Sequence, residues 1–360
     1  MVRPAQNVVH RVAVLGASGL VGQRLQQRLV HHPEFQLAAV VGSSRTAGLD
    51  LTTIPWGLEG AAPLADLPPV LDAANPSLGH VLRSLGVTWA FSGLPSSVAK
   101  GLETALVEAG LHVCSNASQY RRRPGIPLVV GDLNPDHFGV ASGHVLHACA
   151  TNCTLIPLLF PYVALTRRFG PLSVSARSEQ ARSGAGYALL RRQVPMDESI
   201  PGEAEKTVAE LGWVTGDVLN GEVHPSAPVI SMRCQRVEAD DGHIVDATFT
   251  FASDVDLGEV RQALEGIAPH PLSVGCPSAP VRPVMVVDGP VQRKAHLWAD
   301  GHGFQVPEDP STSLTAGMTV VVGDLSQTGP RTVHLRSLSH NTVRGAAGGV
   351  TLLAEVALRR

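Results

Sequence analysis

A glycine-rich loop near the N-terminus constrains the fold of this chain more than any other feature. It reads Gly16-Ala-Ser-Gly19-Leu-Val-Gly22, after a strand-like apolar run over 11–15 and before helical apolar spacing over 20–30. Glycines there let the backbone turn tightly beside a pyrophosphate, whose charge then lies at the helix N-terminus. Since the spacing departs from G-x-G-x-x-G, the strand and helix around it carry much of the argument. The loop predicts a dinucleotide-binding domain.

The chain has two parts that differ in their pattern of apolar residues. Up to about residue 130, short β-rich runs alternate with helical patterns, which predicts a doubly wound parallel α/β fold of Rossmann type. From about residue 150, longer β-rich runs such as 229–237 and 244–251 predict an α+β second domain. We place a cofactor domain at 1–150 and a catalytic and dimerisation domain at 151–338. A C-terminal helix within 339–360 is expected to return to the first domain.

The segment after the second predicted strand selects the cofactor. A NAD site requires a carboxylate there to accept a hydrogen bond from the ribose 2′-hydroxyl, whereas a 2′-phosphate is bound by cations and hydroxyls. The segment 41–48 contains no acid and offers Ser43, Ser44, Arg45 and Thr46. NADP is therefore the predicted cofactor, although an exposed arginine in a loop is often only solvated.

Charge and cysteine content exclude several classes of function. A net charge of −3 gives no bulk attraction to nucleic acid or to an anionic membrane. The longest apolar stretch, 155–165, is too short to span a bilayer and holds two prolines. Five scattered cysteines do not form a disulfide framework, and no secretory signal precedes the first strand. We expect a cytoplasmic protein.

Cys153 is the strongest candidate nucleophile. It stands just before an apolar, helix-like stretch, where unpaired N–H groups and the helix dipole stabilise a thiolate. Pro161 is expected to kink or interrupt that helix and to weaken the effect. A lone cysteine is also commonly an inert core residue. Zinc binding is disfavoured, because the spacing of His144, His147, Cys149 and Cys153 does not match structural zinc sites.

The chain resembles the aspartate-semialdehyde dehydrogenases of the archaeal and fungal type over nearly its whole length. The glycine loop is followed in order by eight further motifs of that family. They are Ser43-Ser-Arg-Thr-Ala-Gly48, Phe91-Ser-Gly-Leu-Pro-Ser96, Ser115-Asn-Ala-Ser-Gln-Tyr-Arg121, Asn152-Cys153-Thr154, Gln180-Ala-Arg-Ser-Gly-Ala-Gly-Tyr187, Glu203-Ala-Glu-Lys206, Arg236 with Asp241-Gly-His243, and Asn341-Thr-Val-Arg-Gly-Ala-Ala-Gly348.

The resemblance implies NADPH-dependent reductive dephosphorylation of L-4-aspartyl phosphate, an acyl phosphate, with release of inorganic phosphate. It implies that Cys153 forms a thioester, His243 is the general acid/base, Gln180 orients the intermediate and Asn152 polarises the substrate. Substrate-binding residues would be Arg121, Glu203, Lys206 and Arg236, of which Arg236 would hold the α-carboxylate and Glu203 the ammonium group. Cofactor contacts would be Gly16, Ser18, Gly19, Leu20, Val21, Gly22, Ser43, Ser44, Arg45, Thr46, Ser92, Gly184 and Asn341. A homodimer or homotetramer is expected.

Several residues depart from the family pattern on the substrate side. They are Thr151, Asp132, Glu179, Arg182, Arg191 and Arg192. The arginines either bind an additional anionic group or reflect the arginine-rich composition, in which lysine occurs only at 100, 206 and 294. The same thioester and hydride chemistry on another acyl phosphate or an acyl-CoA, as in malonyl-CoA reductases, therefore stays open, as does a non-catalytic relative.

Overall fold

The computed structural model describes residues 9–60, 62, 66–190 and 198–360. Two large sheets carry the chain. The strands are β1 (His10–Leu15), β2 (Phe35–Gly42), β3 (Leu71–Asp72), β4 (Trp89–Ser92), β5 (His112–Ser115), β6 (His147–Cys149), β7 (Leu172–Gln180), β8 (Glu198–Ser199), β9 (Asp217–Leu219), β10 (Glu222–His224), β11 (Val229–Arg236), β12 (His243–Phe251), β13 (Val284–Val286), β14 (Val320–Gly329) and β15 (Thr332–Ser339). The helices are α1 (Leu20–Leu29), α2 (Leu78–Ser84), α3 (Ser96–Glu108), α4 (Leu155–Phe169), α5 (Tyr187–Leu190), α6 (Glu203–Val214), α7 (Leu257–Glu265), α8 (Arg293–His296) and α9 (Gly348–Ala357).

The first sheet is parallel throughout, in the order β3-β2-β1-β4-β5-β6. Helices cover both faces: Leu25 packs with Val12 on one side, and Leu82 with Ala13 on the other. The strand order reverses between β1 and β4, and ligands of such sheets bind outside the carboxyl ends of the strands at that point. The predicted doubly wound domain is confirmed.

The second sheet is mixed, in the order β13-β14-β15-β12-β7-β11-β8. In β7 buried and more exposed residues alternate, so that Val174 and Ala176 join the core beneath α4. The pairing brings Arg236 at the end of β11 beside Gln180 at the end of β7, and β12 begins at His243 next to them. The predicted α+β unit is confirmed, and three predicted site residues meet at one edge of its sheet.

Pro161 does not interrupt α4, so the interruption that the sequence offered as one of two outcomes, beside a kink, does not occur. The helix runs through it from Leu155 to Phe169. A proline leaves the carbonyl four residues earlier without its helical donor. Here that carbonyl belongs to Pro157, and the hydroxyl of Ser337 on β15 donates to it at 2.6 Å. A partner from the sheet thus replaces the missing bond.

The C-terminal segment crosses back after β15. A π-helical turn, Val343–Ala347, leads into α9. Val350 and Leu353 lie in the same apolar cluster as Val12 and Leu25 of the first sheet and α1. No helix in the described part of the chain is long and apolar enough to cross a membrane.

Candidate active site

The glycine loop connects β1 to α1 at the strand-order reversal. Gly16 has φ of +101°, and a Cβ at Gly22 would lie 1.9 Å from the carbonyl oxygen of Gly16. Across the reversal, a Cβ at Gly93 would lie 3.0 Å from the amide nitrogen of Gly22. Side chains at these positions would force the loop apart. Ser18 and Gly19 directly precede α1, and Leu20 and Val21 are its first residues, so their main-chain amides lie at the helix N-terminus, where a helix binds anions.

The segment predicted to bind the 2′-phosphate forms an exposed turn after β2. The carbonyl of Ser43 accepts from the amides of Thr46 and Ala47, and Arg45 is exposed to solvent. The hydroxyl of Ser44 donates to Asp72, an acid at the end of β3, at 3.4 Å. Ser92, from the motif Phe91–Ser96, is buried at the end of β4.

Cys153 and His243 lie in contact, 3.2 Å apart between Sγ and Nε2. Cys153 comes two residues before α4, and His243 is fully buried at the start of β12. The main-chain amide of Ala181 donates to Nδ1 of His243 at 3.1 Å. Because an N–H occupies Nδ1, the neutral ring carries its proton on Nε2, facing the sulfur.

Both members of this pair are held in their uncharged forms. Burial, and after it the positive charges of Arg236 and Arg293, lower the pKa of His243 to about 3. Burial, and after it the carboxylate of Glu203, raise the pKa of the Cys153 thiol to about 11. Arg121 and Arg236 act in the opposite direction on that thiol. The resting site is therefore a neutral thiol beside a neutral imidazole.

Arg236 and Gln180 line the same edge. Arg236 is only 8% exposed and donates through Nη1 to the carbonyl of Ala181 at 2.9 Å. Burial lowers the pKa of Arg236, so its charge is held at an electrostatic cost that an anionic ligand would relieve. Gln180 is buried, with its amide nitrogen 3.5 Å from the hydroxyl of Ser178.

Arg121, from the first domain, and Asn152, which directly precedes Cys153, are joined by Glu210. The two carboxylate oxygens of Glu210 accept from Nη1 of Arg121 at 2.9 Å and from the amide of Asn152 at 2.7 Å. The Nδ2 atom of Asn152 and the Nε atom of Arg121 are buried without a partner among the described residues. Unused buried donors of this kind are typical of a site that receives an anion or an oxyanion.

Glu203 and Lys206 lie in the first turn of α6. Glu203 accepts from the hydroxyl of Thr154, the residue after the nucleophile, at 3.3 Å. Lys206 is exposed. The structure thus brings Glu203 next to Cys153 and leaves Lys206 at the solvent side of the same helix.

Two residues predicted as cofactor contacts lie near His243, Gly184 against its ring and Asn341 bonded to the preceding Gly242. A Cβ at Gly184 would be 2.9 Å from Nε2 of His243 and 3.2 Å from Nη1 of Arg236. Asn341 is buried, accepting from the amide of Gly242 at 2.8 Å and donating to the hydroxyl of Ser183 at 2.7 Å. The side-chain amide of Asn341 thus holds together the segments that contain Gly242 and Ser183, and we interpret this as a positioning role.

Comparison with known proteins agrees with this arrangement. The family model for the NAD-binding domain of semialdehyde dehydrogenases matches residues 11–141. Aspartate-semialdehyde dehydrogenase of Candida albicans is 33% identical to the chain, with 97% of this chain and 98% of the relative aligned. The Archaeoglobus fulgidus enzyme is 31% identical, with the same coverage of both proteins.

The chain belongs to the aspartate-semialdehyde dehydrogenase family. A crystal structure of the Candida albicans enzyme with NADP superposes with a TM-score of 0.78 at 31% identity, over 98% of this chain and 99% of that one. Aspartate semialdehyde dehydrogenase II of Vibrio cholerae shares the fold, with a TM-score of 0.69 at 19% identity. The fungal and archaeal resemblance of the sequence is confirmed.

Three residues of this family member were missed by sequence reasoning, namely Ala181, Glu210 and Gly345. Ala181 acts through its main chain, for which no sequence signal exists. Glu210 follows Glu203 by seven residues, and helical spacing from Glu203 would have placed it on the same face. A Cβ at Gly345 would lie 2.6 Å from the Cβ of Cys153. The sequence signal that could have identified Gly345 was its position in the motif that begins at Asn341.

The residues that depart from the family pattern have structural partners. Arg182 pairs with Glu238 at 2.6 Å and also with Asp240, which favours the interpretation that it binds no additional substrate group. Glu179 pairs with three arginines, Arg177, Arg293 and Arg336. Arg191 and Arg192 lie outside the described residues.

Asp132 forms a buried ion pair with Arg344, whose Nη2 atom donates to the two carboxylate oxygens at 2.7 and 2.8 Å. Both side chains are at most 1% exposed. Arg344 lies in the turn that also carries Gly345. This pair therefore anchors the C-terminal segment next to the nucleophile. Thr151, another of these departures, is buried.

Proposed function

We propose that this chain reduces L-4-aspartyl phosphate to L-aspartate 4-semialdehyde and releases inorganic phosphate, through a thioester on Cys153. The contact of 3.2 Å between Cys153 and His243 carries the proposal, because it joins a nucleophile to a proton donor. Buried Arg236 and half-buried Glu203 surround this pair with the charges that an amino acid needs.

NADPH is the proposed reductant, and the residues of the first domain fit a dinucleotide. The glycine loop admits no side chain at Gly16 or Gly22, and it leads into the N-terminus of α1. Arg45 with Ser43 and Ser44 would hold the 2′-phosphate. When bound, the reduced nicotinamide supplies the hydride that converts the thioester to a hemithioacetal.

Substrate binding falls to two charged residues. The guanidinium of Arg236 would hold the α-carboxylate of the substrate in a bidentate geometry that lysine cannot copy. Glu203 would bind the α-ammonium group. The carboxylate of Glu203 raises the pKa of the Cys153 thiol, and the bound ammonium would place a positive charge next to that carboxylate. A substrate with both groups would thus be oriented over the sulfur.

Acyl transfer would proceed from Cys153. The sulfur attacks the acyl carbon, the bond from that carbon to the phosphate oxygen breaks, and phosphate leaves with the electron pair and with the proton of the Cys153 thiol. Arg121 and Lys206 would bind this phosphate, and the unpartnered Nδ2–H of Asn152 would donate to the oxyanion that develops on the acyl oxygen. Gln180 would orient the resulting thioester.

His243 would move the proton after reduction. Its Nε2–H would hydrogen-bond to the oxyanion of the hemithioacetal. As the carbon–sulfur bond breaks and the aldehyde leaves, Nε2 would pass a proton to the departing sulfur and take up another from solvent, which restores the thiol. The amide of Ala181 at Nδ1 supports this role, since it keeps the ring proton on the nitrogen that faces the sulfur. The net reaction consumes one hydride and one proton.

The decisive experiment is phosphate-dependent oxidation of aspartate semialdehyde with NADP, beside a panel of other aldehydes and with CoA in place of phosphate. We expect turnover on aspartate semialdehyde that requires phosphate. Cys153→Ala should abolish it and retain NADPH binding. Wild-type turnover in that variant, or activity only on another aldehyde, would refute the proposal.

We also propose that the chain forms a homodimer or homotetramer. One face of the second sheet is covered by α4, while the other presents exposed side chains such as Ser175 and Arg177. Sheets commonly bury both faces when chains associate. Light scattering coupled to size exclusion would measure the mass, and a monomer at micromolar concentration would refute this proposal.

Cytoplasmic location is a further proposal. Its support is that the five cysteines are unpaired, as is usual in reducing compartments. Fractionation of cells that express the tagged protein tests it, and recovery with the membrane or secreted fraction would refute it.

A further inference from the structure

We propose that Glu210 is a positioning residue that fixes the phosphate-binding Arg121 and the backbone next to the nucleophile in a single geometry. This inference rests on the proposed function and adds a residue to it. Glu210 lies in α6 and is 3% exposed. Neither the family motifs in the sequence nor the roles assigned above require an acid at this position.

The carboxylate of Glu210 connects two separate parts of the site. One oxygen accepts from Nη1 of Arg121 at 2.9 Å, and the other accepts from the main-chain amide of Asn152 at 2.7 Å. Since both partners are bonded to one rigid carboxylate, Arg121 and Asn152 cannot shift independently. Cys153 follows Asn152 directly, so its backbone is held by the same bond.

The donors that Glu210 leaves unused are suited to the phosphate, in the case of Arg121, and to the oxyanion on the acyl oxygen, in the case of Asn152. Arg121 also donates through Nη2 to the carbonyl of Asn116 at 2.6 Å, which holds its guanidinium from a second side. Its Nε has no partner among the described residues, and neither does Nδ2 of Asn152, whose Oδ1 accepts from the amide of Leu155 at 2.8 Å. Each side chain is therefore pinned by some of its atoms and offers one buried donor.

Glu210 also reduces the net positive charge around Arg121. A carboxylate paired with Arg121 offsets much of the attraction between that guanidinium and a phosphate. Orientation without full positive charge suits a site that must bind an acyl phosphate and then release inorganic phosphate. Loss of Glu210 would free the charge of Arg121 and remove its orientation. In a preorganised site the loss of orientation dominates.

The test measures phosphate binding without requiring turnover. Cys153 would be alkylated with iodoacetamide under increasing inorganic phosphate, and protection gives the dissociation constant of phosphate. We expect Glu210→Gln to weaken protection roughly tenfold, as for the loss of one charge-assisted hydrogen bond. The exposed Glu205 lies on the same helix, and Glu205→Gln is the matched control with unchanged protection.

A double-mutant cycle separates positioning from general destabilisation. Arg121→Ala should weaken protection by itself, and Glu210→Gln should add nothing in that background. In assays with aspartate semialdehyde, Glu210→Gln should raise KM for phosphate and leave KM for the aldehyde within about twofold. Circular dichroism and thermal unfolding show whether each variant folds, and Glu210→Asp, which keeps the charge, replaces Glu210→Gln if that variant does not.

Wild-type phosphate protection in the folded Glu210 variant would overturn the inference, and so would additive losses in the double mutant. These results differ from failure of the proposed function. If aspartate semialdehyde is not turned over, the protection assay still reads the site. If Arg121→Ala has no effect on protection, the assigned phosphate site is wrong, and the role inferred for Glu210 is wrong with it.

Discussion

Gly345 lies directly against Cys153, so closely that a Cβ on the glycine would stand 2.6 Å from the Cβ of the cysteine and 2.9 Å from its Cα. Heavy atoms at that separation cannot coexist without movement of the backbone. Gly345 belongs to the turn that Arg344 anchors to Asp132. The nucleophile is thus packed against a segment from the far end of the chain.

Gly345→Ala should therefore displace the nucleophile. We expect kcat to fall by roughly 100-fold, because a shift near 1 Å in a reacting group has that effect, while NADPH binding is retained. Steady-state kinetics and cofactor fluorescence measure the two quantities. Gly101→Ala, in α3 with open space around it, is the control and should keep full activity. Equal activities in the two variants would contradict the packing argument.

The uncharged state of His243 predicts acid sensitivity of the fold. The folded pKa of about 3 lies below the ordinary value of 6.5, so the unfolded chain binds a proton that the folded chain does not. Stability from this group is complete above pH 6.5 and is lost as the pH falls toward 3. From pH 7 to pH 5 the loss should be about 2 kcal/mol at this site.

His243→Gln removes that proton linkage. Urea unfolding at pH 7 and pH 5 should therefore show a smaller acid-induced loss in the variant than in the wild-type protein. The tautomer is checked separately, because nitrogen NMR of labelled histidine should show the proton on Nε2 at neutral pH. An identical pH dependence in both proteins would mean that His243 titrates normally.

Glu203 should control the reactivity of the nucleophile. Its carboxylate raises the pKa of the Cys153 thiol, after burial the largest cause of the value near 11. Glu203→Gln should lower that pKa and accelerate iodoacetamide alkylation at pH 8 by roughly threefold to tenfold, since one pKa unit is a factor of ten in thiolate. Slower or unchanged alkylation would show that the carboxylate does not act on the sulfur.

Arg45 should discriminate between the two nicotinamide cofactors. It stands exposed in the turn after β2, close to Ser43 and Ser44, where a 2′-phosphate is expected. Arg45→Ala should weaken NADPH at least tenfold and change NADH by less than about twofold, because only NADPH carries the phosphate. Titration of each cofactor by fluorescence measures this. Equal losses would place the recognition of the phosphate elsewhere.

What the sequence predicts depends on how local each feature is. The loop from Gly16 to Gly22 could be identified because its strand, turn and helix are consecutive in the chain. The doubly wound sheet followed for the same reason, from the alternation of short segments. Individual site residues such as Cys153 and His243 came instead from resemblance to a family, because no spacing relates a cysteine to a histidine ninety positions later.

Contacts between distant segments were out of reach. The amide of Ala181 on His243 and the carboxylate of Glu210 on Asn152 depend on how the elements pack, and neither leaves a pattern in the sequence. The uninterrupted helix through Pro161 is a similar case. Its missing hydrogen bond is replaced from Ser337, which only the folded sheet brings to the carbonyl of Pro157.

The position of Gly345 has a consequence for synthesis of the protein. Ribosomes deliver the chain from its N-terminus, and domains fold in that order. Cys153 emerges long before Gly345, so a nascent or truncated chain carries the thiol without the segment that packs against it. Premature termination after β15 would therefore leave the thiol uncovered and would also remove Val350 and Leu353 from the core of the first domain, so that such a fragment should lack activity.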